Sequence, residues 1–295
     1  MRNLDKKKLS VIIVNYNSGD FLISCLRSLG KLANEIRYDL YIVDNASSDK
    51  SLQEAQKLFP KIVYIKNGQN LGFGKANNQA IKLVKTDYIL LLNPDTKVLE
   101  GTISYMVNFM DDHPDVGAAS CRVLLANGSL DWASHRGFPT PWASFLYFVF
   151  RDKRLYNLTD RDMESIHEVD SIVGAFMMLR KSVLDEVGLF DEDYFLYAED
   201  IDLCFRIKQA GYKIVYVPKV KIIHFKGIAS GIKKHSQSLS SATMESKKRS
   251  LDHFYSTMKI FYKKHLQKRY PFFINLLVYL GIDLKWWLAK RSLSV

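Results

Sequence analysis

The first part of the chain alternates between short apolar runs rich in Val and Ile and segments whose apolar residues recur with helical spacing. The apolar runs predict buried strands at 9–14, 40–43, 62–65 and 88–92. The segments that separate them predict helices at 21–29, 52–59 and 75–84. Because strands that are apolar throughout are buried on both faces, the alternation predicts an α/β fold with a mostly parallel central sheet and helices on both faces.

Polar loops follow the predicted strands that end at Val14, Val43 and Leu92. The carboxyl ends of parallel strands meet at one edge of a sheet, and ligands of open α/β sheets bind outside that edge. The sequence therefore places a candidate binding site at these loops.

The periodic pattern loosens after a further predicted helix at 101–110 and returns at 169–179 and 183–187. We interpret residues 127–168 as an insertion within one domain, since a second domain would need its own core. With 47% hydrophobic residues in 295, the chain can bury a substantial core. We expect one domain over 1–250 that ends in a mobile loop over 227–250, where Gly, Ser and Lys are frequent.

The last segment, 251–295, is predicted to be helical and is rich in aromatic residues. Residues 271–288 are apolar but include Asp283 and Lys285, and basic residues precede them. This composition is poor for a membrane-spanning helix and fair for a helix that lies in a membrane interface. Packing onto the main domain is the alternative interpretation, and the sequence does not separate the two.

The formal net charge of +11 suits an anionic partner: a nucleotide, a phospholipid surface or nucleic acid. The sequence has no helix-turn-helix, zinc-finger or aromatic RNA-binding signature, and its basic residues are spread out, so we expect no nucleic-acid partner.

The three cysteines are widely spaced, and we interpret them as reduced thiols: Cys25, Cys121 and Cys204. No signal peptide is evident, and we expect a cytoplasmic protein, peripheral at the inner face of the membrane.

An acidic cluster lies within the aromatic and aliphatic stretch 194–206. Its members Glu199, Asp200 and Asp202 lie among apolar residues, where partial desolvation tunes the proton affinity of a carboxylate and can make a general base. The alternative is that Asp200 or Asp202 caps the helix that follows. Asp202 also has Arg206 one turn later, at the spacing of a helical ion pair.

Asn93-Pro94-Asp95 directly follows the predicted strand 88–92. A carboxylate at this point can bind a hard divalent cation, since such ions take their other ligands from water or substrate phosphates. Taken alone, the tripeptide is more often a plain turn.

Seven motifs follow one another along the chain. They are Val11-Ile12-Ile13-Val14-Asn15-Tyr16-Asn17, Val43-Asp44-Asn45-Ala46-Ser47-Ser48-Asp49, Asn70-Leu71-Gly72-Phe73-Gly74-Lys75-Ala76-Asn77-Asn78, Leu92-Asn93-Pro94-Asp95, Gly174-Ala175-Phe176, Glu199-Asp200-Ile201-Asp202-Leu203-Cys204-Phe205-Arg206 and His224. Together and in this order they resemble the family 2 glycosyltransferases, and the match is closest to the bacterial rhamnosyltransferase-like branch. The resemblance covers roughly residues 9 to 230.

The resemblance implies a GT-A fold, a dTDP- or UDP-sugar donor and inversion at the anomeric carbon. It implies nucleotide binding by Asn15, Tyr16, Asp44, Asn77 and Asn93. Asp44 would hydrogen-bond the base, with Asn15 and Tyr16 lining its pocket, and Asn77 would lie in the loop that closes over the nucleotide. Asn93 replaces the first acid of the family's Asp-X-Asp signature and can accept a ribose hydrogen bond, but it brings no charge to a metal.

The resemblance also implies a Mg²⁺ or Mn²⁺ ion held by Asp95 and His224, and a catalytic base at Asp200, with Glu199 as its rival. The expected reaction moves rhamnose or a related hexose to a hydroxyl of a surface-polysaccharide or lipid-linked glycan. A non-catalytic carbohydrate-binding or scaffold protein with the same fold is the alternative. The sequence names neither the sugar, the acceptor nor the oligomeric state.

Overall fold

The computed structural model describes residues 8–32, 35–225 and 244–293. The first half contains β1 (Leu9–Asn15), α1 (Asp20–Lys31), β2 (Tyr38–Asp44), α2 (Ser51–Leu58), β3 (Val63–Lys66), α3 (Phe73–Ile81), β4 (Tyr88–Leu92), β5 (Thr96–Val98), α4 (Thr102–Asp112) and β6 (Val116–Leu125). The second half contains β7 (His135–Arg136), α5 (Pro141–Val149), α6 (Arg154–Asn157), β8 (His167–Glu168), β9 (Ser171–Ile172), β10 (Phe176–Arg180), α7 (Lys181–Val187), α8 (Glu199–Gln209), β11 (Lys213–His224), α9 (Met244–Phe261) and α10 (Phe272–Leu293).

The central sheet has the strand order β3-β2-β1-β4-β10-β6-β11-β5, and β8 pairs with β11 beside this path. Strands β1 to β4 are parallel to one another, as the alternating pattern predicts. Strand β10 is antiparallel to both β4 and β6, so the complete sheet is mixed. Because β10 follows the long middle region rather than a crossover helix, its direction does not follow from βαβ alternation.

Helices cover both faces of the sheet, and the side chains of β1 alternate between them. Val11 and Ile13 pack in the core that also contains Leu22 and Leu26 of α1. Ile12 packs in the opposite core, with Ala80 of α3. Successive side chains of a strand point to opposite faces, so an unbroken apolar run supplies both cores at once. The predicted three-layer α/β architecture is confirmed.

Strand β11 changes its register part of the way along. Residues 213–217 pair with β6, and a shift between Val217 and Lys221 leaves residues 218–220 as a bulge containing Pro218. Proline cannot donate a ladder hydrogen bond, and bulges are among the places where strands accept it. After the bulge, residues 222–224 lie between β5 and β6, and His224 pairs with Thr96.

The C-terminal segment packs on α8 through aromatic residues. Ile201 and Phe205 share a cluster with Phe261, Tyr262 and Leu266. Helix α9 already begins at Met244, so the predicted loop over 227–250 is wrong for its last residues, while 226–243 lie outside the described residues. A π-helical turn, Tyr262–Leu266, and a 3₁₀ turn, Gln267–Arg269, join α9 to α10.

Candidate active site

The carboxylate of Asp44 ends β2 and is completely buried. Asn15, at the end of the neighbouring β1, donates from Nδ2 to Asp44 Oδ1 over 2.7 Å and to Ser51 Oγ over 2.9 Å. The backbone N–H of Ser47 donates to Asp44 Oδ2 over 3.1 Å. Hydrogen bonds to an ionised carboxylate are the strong ones in proteins, and these hold Asp44 in one orientation at the sheet edge. Asn15 thus positions Asp44.

The loop that leads into α3 contacts the loop that leads into α8. Phe73 N–H donates to the carbonyl oxygen of Phe195 over 3.0 Å. Gly72 has a φ of 85°, and a Cβ at this position would lie 2.2 Å from Phe195 O. Only glycine combines a left-handed φ with such a close approach of two backbones. The two loops are therefore held together at Gly72.

The remaining residues predicted for the nucleotide pocket differ in accessibility. Tyr16 is exposed just past β1, where it can contact a ligand. Asn77 lies inside α3 rather than in a loop, and its Nδ2 donates to Phe73 O over 2.9 Å. The placement of Asn77 in a closing loop is wrong, because the helix already begins at Phe73 and buries this side chain.

Asp95 and His224 lie together where β5 pairs with the end of β11. His224 Nε2 is 3.2 Å from Asp95 Oδ1, and His224 Nδ1 is 3.7 Å from Asp131 Oδ2. Burial alone would lower the pKa of His224, but the Asp131 and Asp95 carboxylates outweigh it and raise the pKa to about 9. Asn93 is on the same turn, where its carbonyl accepts from Thr96 Oγ1 over 2.7 Å.

The donor set at this corner fits a hard divalent cation that is completed by a ligand. Within residues 8–32, 35–225 and 244–293, no group of at least three His, Cys, Asp or Glu side chains could hold a metal ion by itself. Asp95 supplies an oxygen and His224 a nitrogen, and His224 Nδ1 is buried without a hydrogen-bond partner in the described part of the chain. One or two carboxylates plus substrate phosphates are typical for Mg²⁺, and Asp95 is the ligand of that kind here.

The Glu199–Asp200 pair forms the first turn of α8, directly after a strained loop. Tyr197 and Ala198 have φ values of 73° and 64°, which are uncommon for non-glycine residues and cluster at functional sites. Glu199 is buried and its Oε2 has no hydrogen-bond partner in the described residues, whereas Asp200 is partly exposed. Burial and then the Asp200 charge raise the pKa of Glu199 well above its usual range.

Arg136, in β7, is the cation that faces this carboxylate pair. Burial raises the pKa of Asp200, and the Arg136 charge acts in the opposite direction. Arg136 donates from Nη2 to Ala133 O over 2.7 Å and from Nη1 to Tyr156 Oη over 3.1 Å, while its buried Nε has no partner in the described residues. The charge of Arg136 also acts on Asp131, so residues 131–136 connect the Asp200 corner to the Asp95 corner.

Sequence reasoning missed both Asp131 and Arg136, which lie in the stretch interpreted as an insertion. They reach the site because β7 pairs with β9. In this pairing Arg136 lies opposite Ser171, which is 35 residues later in the chain. The only local signal is a charged residue in a segment without periodicity, which is also typical of ordinary loops.

Asp202 has a structural position. The cap of α8 is Ala198, without a side-chain hydrogen bond, so the cap interpretation of Asp202 is wrong. The predicted pair with Arg206 is confirmed, since Arg206 Nε donates to Asp202 Oδ2 over 2.9 Å. His265 Nε2 lies 2.6 Å from Asp202 Oδ1, so this buried carboxylate joins α8 to the π-helical turn. Asp200 accepts at Oδ1 from Ile201 N–H over 2.8 Å.

Comparisons with known proteins agree on one family. The family profile described as Glycosyl transferase family 2 matches residues 10–188. An N-acetylglucosaminyl-diphospho-decaprenol L-rhamnosyltransferase of Mycobacterium tuberculosis is 29% identical over 76% of this chain and 78% of its own length. Rhamnosyltransferase WbbL of Escherichia coli K12 is 32% identical over 73% of this chain and 82% of its own length.

Among solved structures, the mannosyltransferase PcManGT of Pyrobaculum calidifontis, in complex with GDP-Man and Mn²⁺, superposes with a TM-score of 0.54 and 17% identity. The superposition covers 85% of this chain and 64% of that one, so the chain spans less than two thirds of this neighbour. At this identity the likeness concerns the fold. The chain belongs to glycosyl transferase family 2, and it is a glycosyltransferase with a GT-A fold.

Proposed function

We propose that the chain transfers a hexose, and specifically a deoxyhexose such as rhamnose, from a nucleoside-diphosphate sugar to a hydroxyl of a lipid-linked or surface-polysaccharide glycan. The observation that carries the proposal is the series of contacts and charge pairs from Asp200 through Arg136 and Asp131 to His224 and Asp95. It connects the proposed base to the residues proposed to hold the cation. The similarity to the two rhamnosyltransferases supports the choice of sugar and acceptor class.

Asp200 is the proposed base. It accepts the proton of the acceptor hydroxyl while that oxygen bonds to the anomeric carbon and the bond from this carbon to the diphosphate breaks on the opposite face, which inverts the configuration. Arg136 favours the ionised form of Asp200. Glu199 is unsuited to this role, because its buried carboxyl group is shifted toward the protonated form.

The donor is proposed to bind along β1, β2 and β4. Asp44, held by Asn15, accepts hydrogen bonds from the base, Tyr16 lines the pocket, and Asn93 accepts one from the ribose. Asp95 and His224 would hold a Mg²⁺ or Mn²⁺ ion together with the diphosphate. When bound, the ion stabilises the negative charge that develops on the leaving diphosphate. Asn77 would act indirectly, by fixing the first turn of α3.

We propose a cytoplasmic location at the inner membrane face, with contact through residues 271–288. In the described part of the chain, one helix, Phe272–Ser292, is long and apolar enough to cross a membrane. We favour an interfacial position, because Lys259 pairs with Asp283 and Trp286 Nε1 donates to Asp252 Oδ1 over 2.6 Å, which holds α10 against α9. The chain is then one GT-A domain with a helical extension over 251–295.

A thermal-shift panel of dTDP-, UDP- and GDP-sugars, each with and without Mn²⁺, tests the proposal. A ligand that binds only the native state at 100 times its Kd should raise the melting temperature by about 4 °C. Asp95→Ala should lose the part of the shift that depends on Mn²⁺, while the exposed Asp20→Ala should keep it. No response to any donor, or an unchanged Mn²⁺ effect in Asp95→Ala, would contradict the proposal.

A further inference from the structure

Helix α5, within the predicted insertion, presents an exposed aromatic surface. Trp142 is 61% exposed, and Phe145, Val149 and Phe150 are also exposed. Trp142, Phe145 and Val149 lie at helical spacing on one side, and the Trp142 and Phe145 rings stack with centroids 5.6 Å apart. The helix contains no charged residue. Large exposed apolar patches on soluble proteins mark interaction sites.

Helix α10 has one packed side and one open side. Asn275, Tyr279 and Trp286 lie on the packed side, where Tyr262 Oη and Asn275 Oδ1 are 2.5 Å apart. Leu277, which is 62% exposed, represents the open side. The other exposed residues on that side recur at helical spacing and are Phe273, Leu280, Leu284 and Leu288.

The two helices are neighbours. Lys285 of α10 places Nζ 5.0 Å from the ring centroid of Phe148 of α5. We call α5 and the open side of α10 together the docking face.

Cations border the docking face. Arg151 and Lys153 directly follow α5 and are exposed. In α10, Lys285, Lys290 and Arg291 outnumber the single acid, Asp283. Asp283 is paired with Lys259, and Lys290 is paired with Asp252 of α9.

An exposed indole ring of α10 lies beside a cation. Trp287 is 47% exposed, and Arg291 Cζ is 4.0 Å from its ring centroid. Exposed Trp beside Arg or Lys is typical of a membrane interface. A second copy of this chain is a less suitable partner for the docking face. A two-fold contact uses the same surface of both copies, so it would bring the like charges of this face together.

The docking face also lies near the proposed base. Tyr147 of α5 packs edge-on against Tyr156, with ring centroids 5.3 Å apart. Tyr156 accepts the hydrogen bond from Arg136, and the Arg136 charge acts on Asp200. A bilayer on the docking face would therefore lie on the acceptor side of the site.

We infer that α5 and α10 form one binding face for an anionic phospholipid bilayer, which presents a lipid-linked acceptor to Asp200. The part that concerns the acceptor rests on the proposed function, whereas bilayer binding does not. The contribution of α5 distinguishes this inference from membrane contact through residues 271–288 alone.

Flotation of the full chain with phosphatidylcholine vesicles, with and without about 30% phosphatidylglycerol, tests the inference. The wild type should float with the anionic vesicles, and the double variant Trp142→Asp and Phe145→Asp should bind at least about 10-fold more weakly. Leu58→Asp with Leu83→Asp changes two similarly exposed apolar residues outside the docking face and should bind like the wild type.

Donor-induced melting shifts, measured on the same variants, report on folding and on the donor site. Their retention in the α5 variant shows that lost flotation comes from the docking face. Their absence in the wild type would overturn the proposed function and leave the vesicle result valid. Three results would each overturn the inference. The α5 variant could float as well as the wild type, or the wild type could bind neutral vesicles as well as anionic ones. The wild type could also bind no vesicles and instead self-associate, with the self-association lost in the α5 variant.

Discussion

The carboxylates of Asp44 and Asp200 lie at the same end of the fold, but they are stabilised by different means. Asp44 is held by neutral donors, the Asn15 amide and the Ser47 N–H, which come from the ends of neighbouring parallel strands. Asp200 faces the permanent charge of Arg136, which comes from a distant two-residue strand. Hydrogen bonds from neutral donors fix the orientation of Asp44, whereas the charge of Arg136 acts on the proton affinity of Asp200. This difference agrees with the roles that we propose, recognition of the donor by Asp44 and proton transfer by Asp200.

Exchanging each carboxylate for its amide should separate the two corners most strongly. Asp200→Asn removes the proposed base and should lower the transfer rate by about 1,000-fold while donor binding is kept. Asp44→Asn should weaken donor binding by about 10-fold or more and change the maximal rate little. Initial rates at saturating and limiting donor measure both effects. Near wild-type transfer by Asp200→Asn would remove it as the base.

The charge of Arg136 should appear in the pH profile. The folded pKa of Asp200 is already raised by burial, so activity falls as the pH falls through that value. Arg136→Met removes the cation that favours the carboxylate and should move the acidic limb of kcat/KM upward by about 1 pH unit. Arg136→Lys keeps the charge and should keep the limb near its original position. If Arg136→Met lowers the rate but leaves the acidic limb of the kcat/KM profile at the same pH, Arg136 has only a structural role.

The smallest expected effect concerns Glu199 and stability. Its folded pKa lies well above 4.5, so the folded state binds the proton more tightly, and stability falls as the pH rises from about 4.5 through the folded pKa. Glu199→Gln removes this loss and should raise the melting temperature at the alkaline end by about 2–4 °C. Thermal unfolding between pH 5 and 9 checks it. A variant with the same pH slope as the wild type would show that Glu199 is ionised in the fold.

The sequence predicted the Asp44 side of the site better than the Asp200 side. The strand 88–92 was predicted with the bounds that the structure gives, because each residue of that run is apolar and flanked by polar turns. Asp44 directly follows one predicted strand and Asp95 lies three residues after the end of another, so strand prediction alone brings them to one edge. This part of the site follows from local patterns.

Asp131 and Arg136 could not be predicted in the same way. Their approach to the site depends on the pairing of β7 with β9 and on contacts across the sheet, and no local periodicity encodes such pairing. The start of α9 at Met244 was missed for a related reason. Lys is a good helix former, and the small penalty for Ser is overcome once packing supplies the stability, although the composition alone suggests a loop.

The bulge at 218–220 divides β11 into two parts with separate constraints. Residues before it are fixed by the core, while residues 222–224 are fixed by β5 and β6 on either side. A bulge can take up a residue gained or lost without changing the pairing beyond it, whereas a one-residue slip in a regular strand turns every later side chain to the opposite face. Over evolution, insertions and deletions at 218–220 should therefore be tolerated, and His224 should keep facing Asp95 as the core diverges.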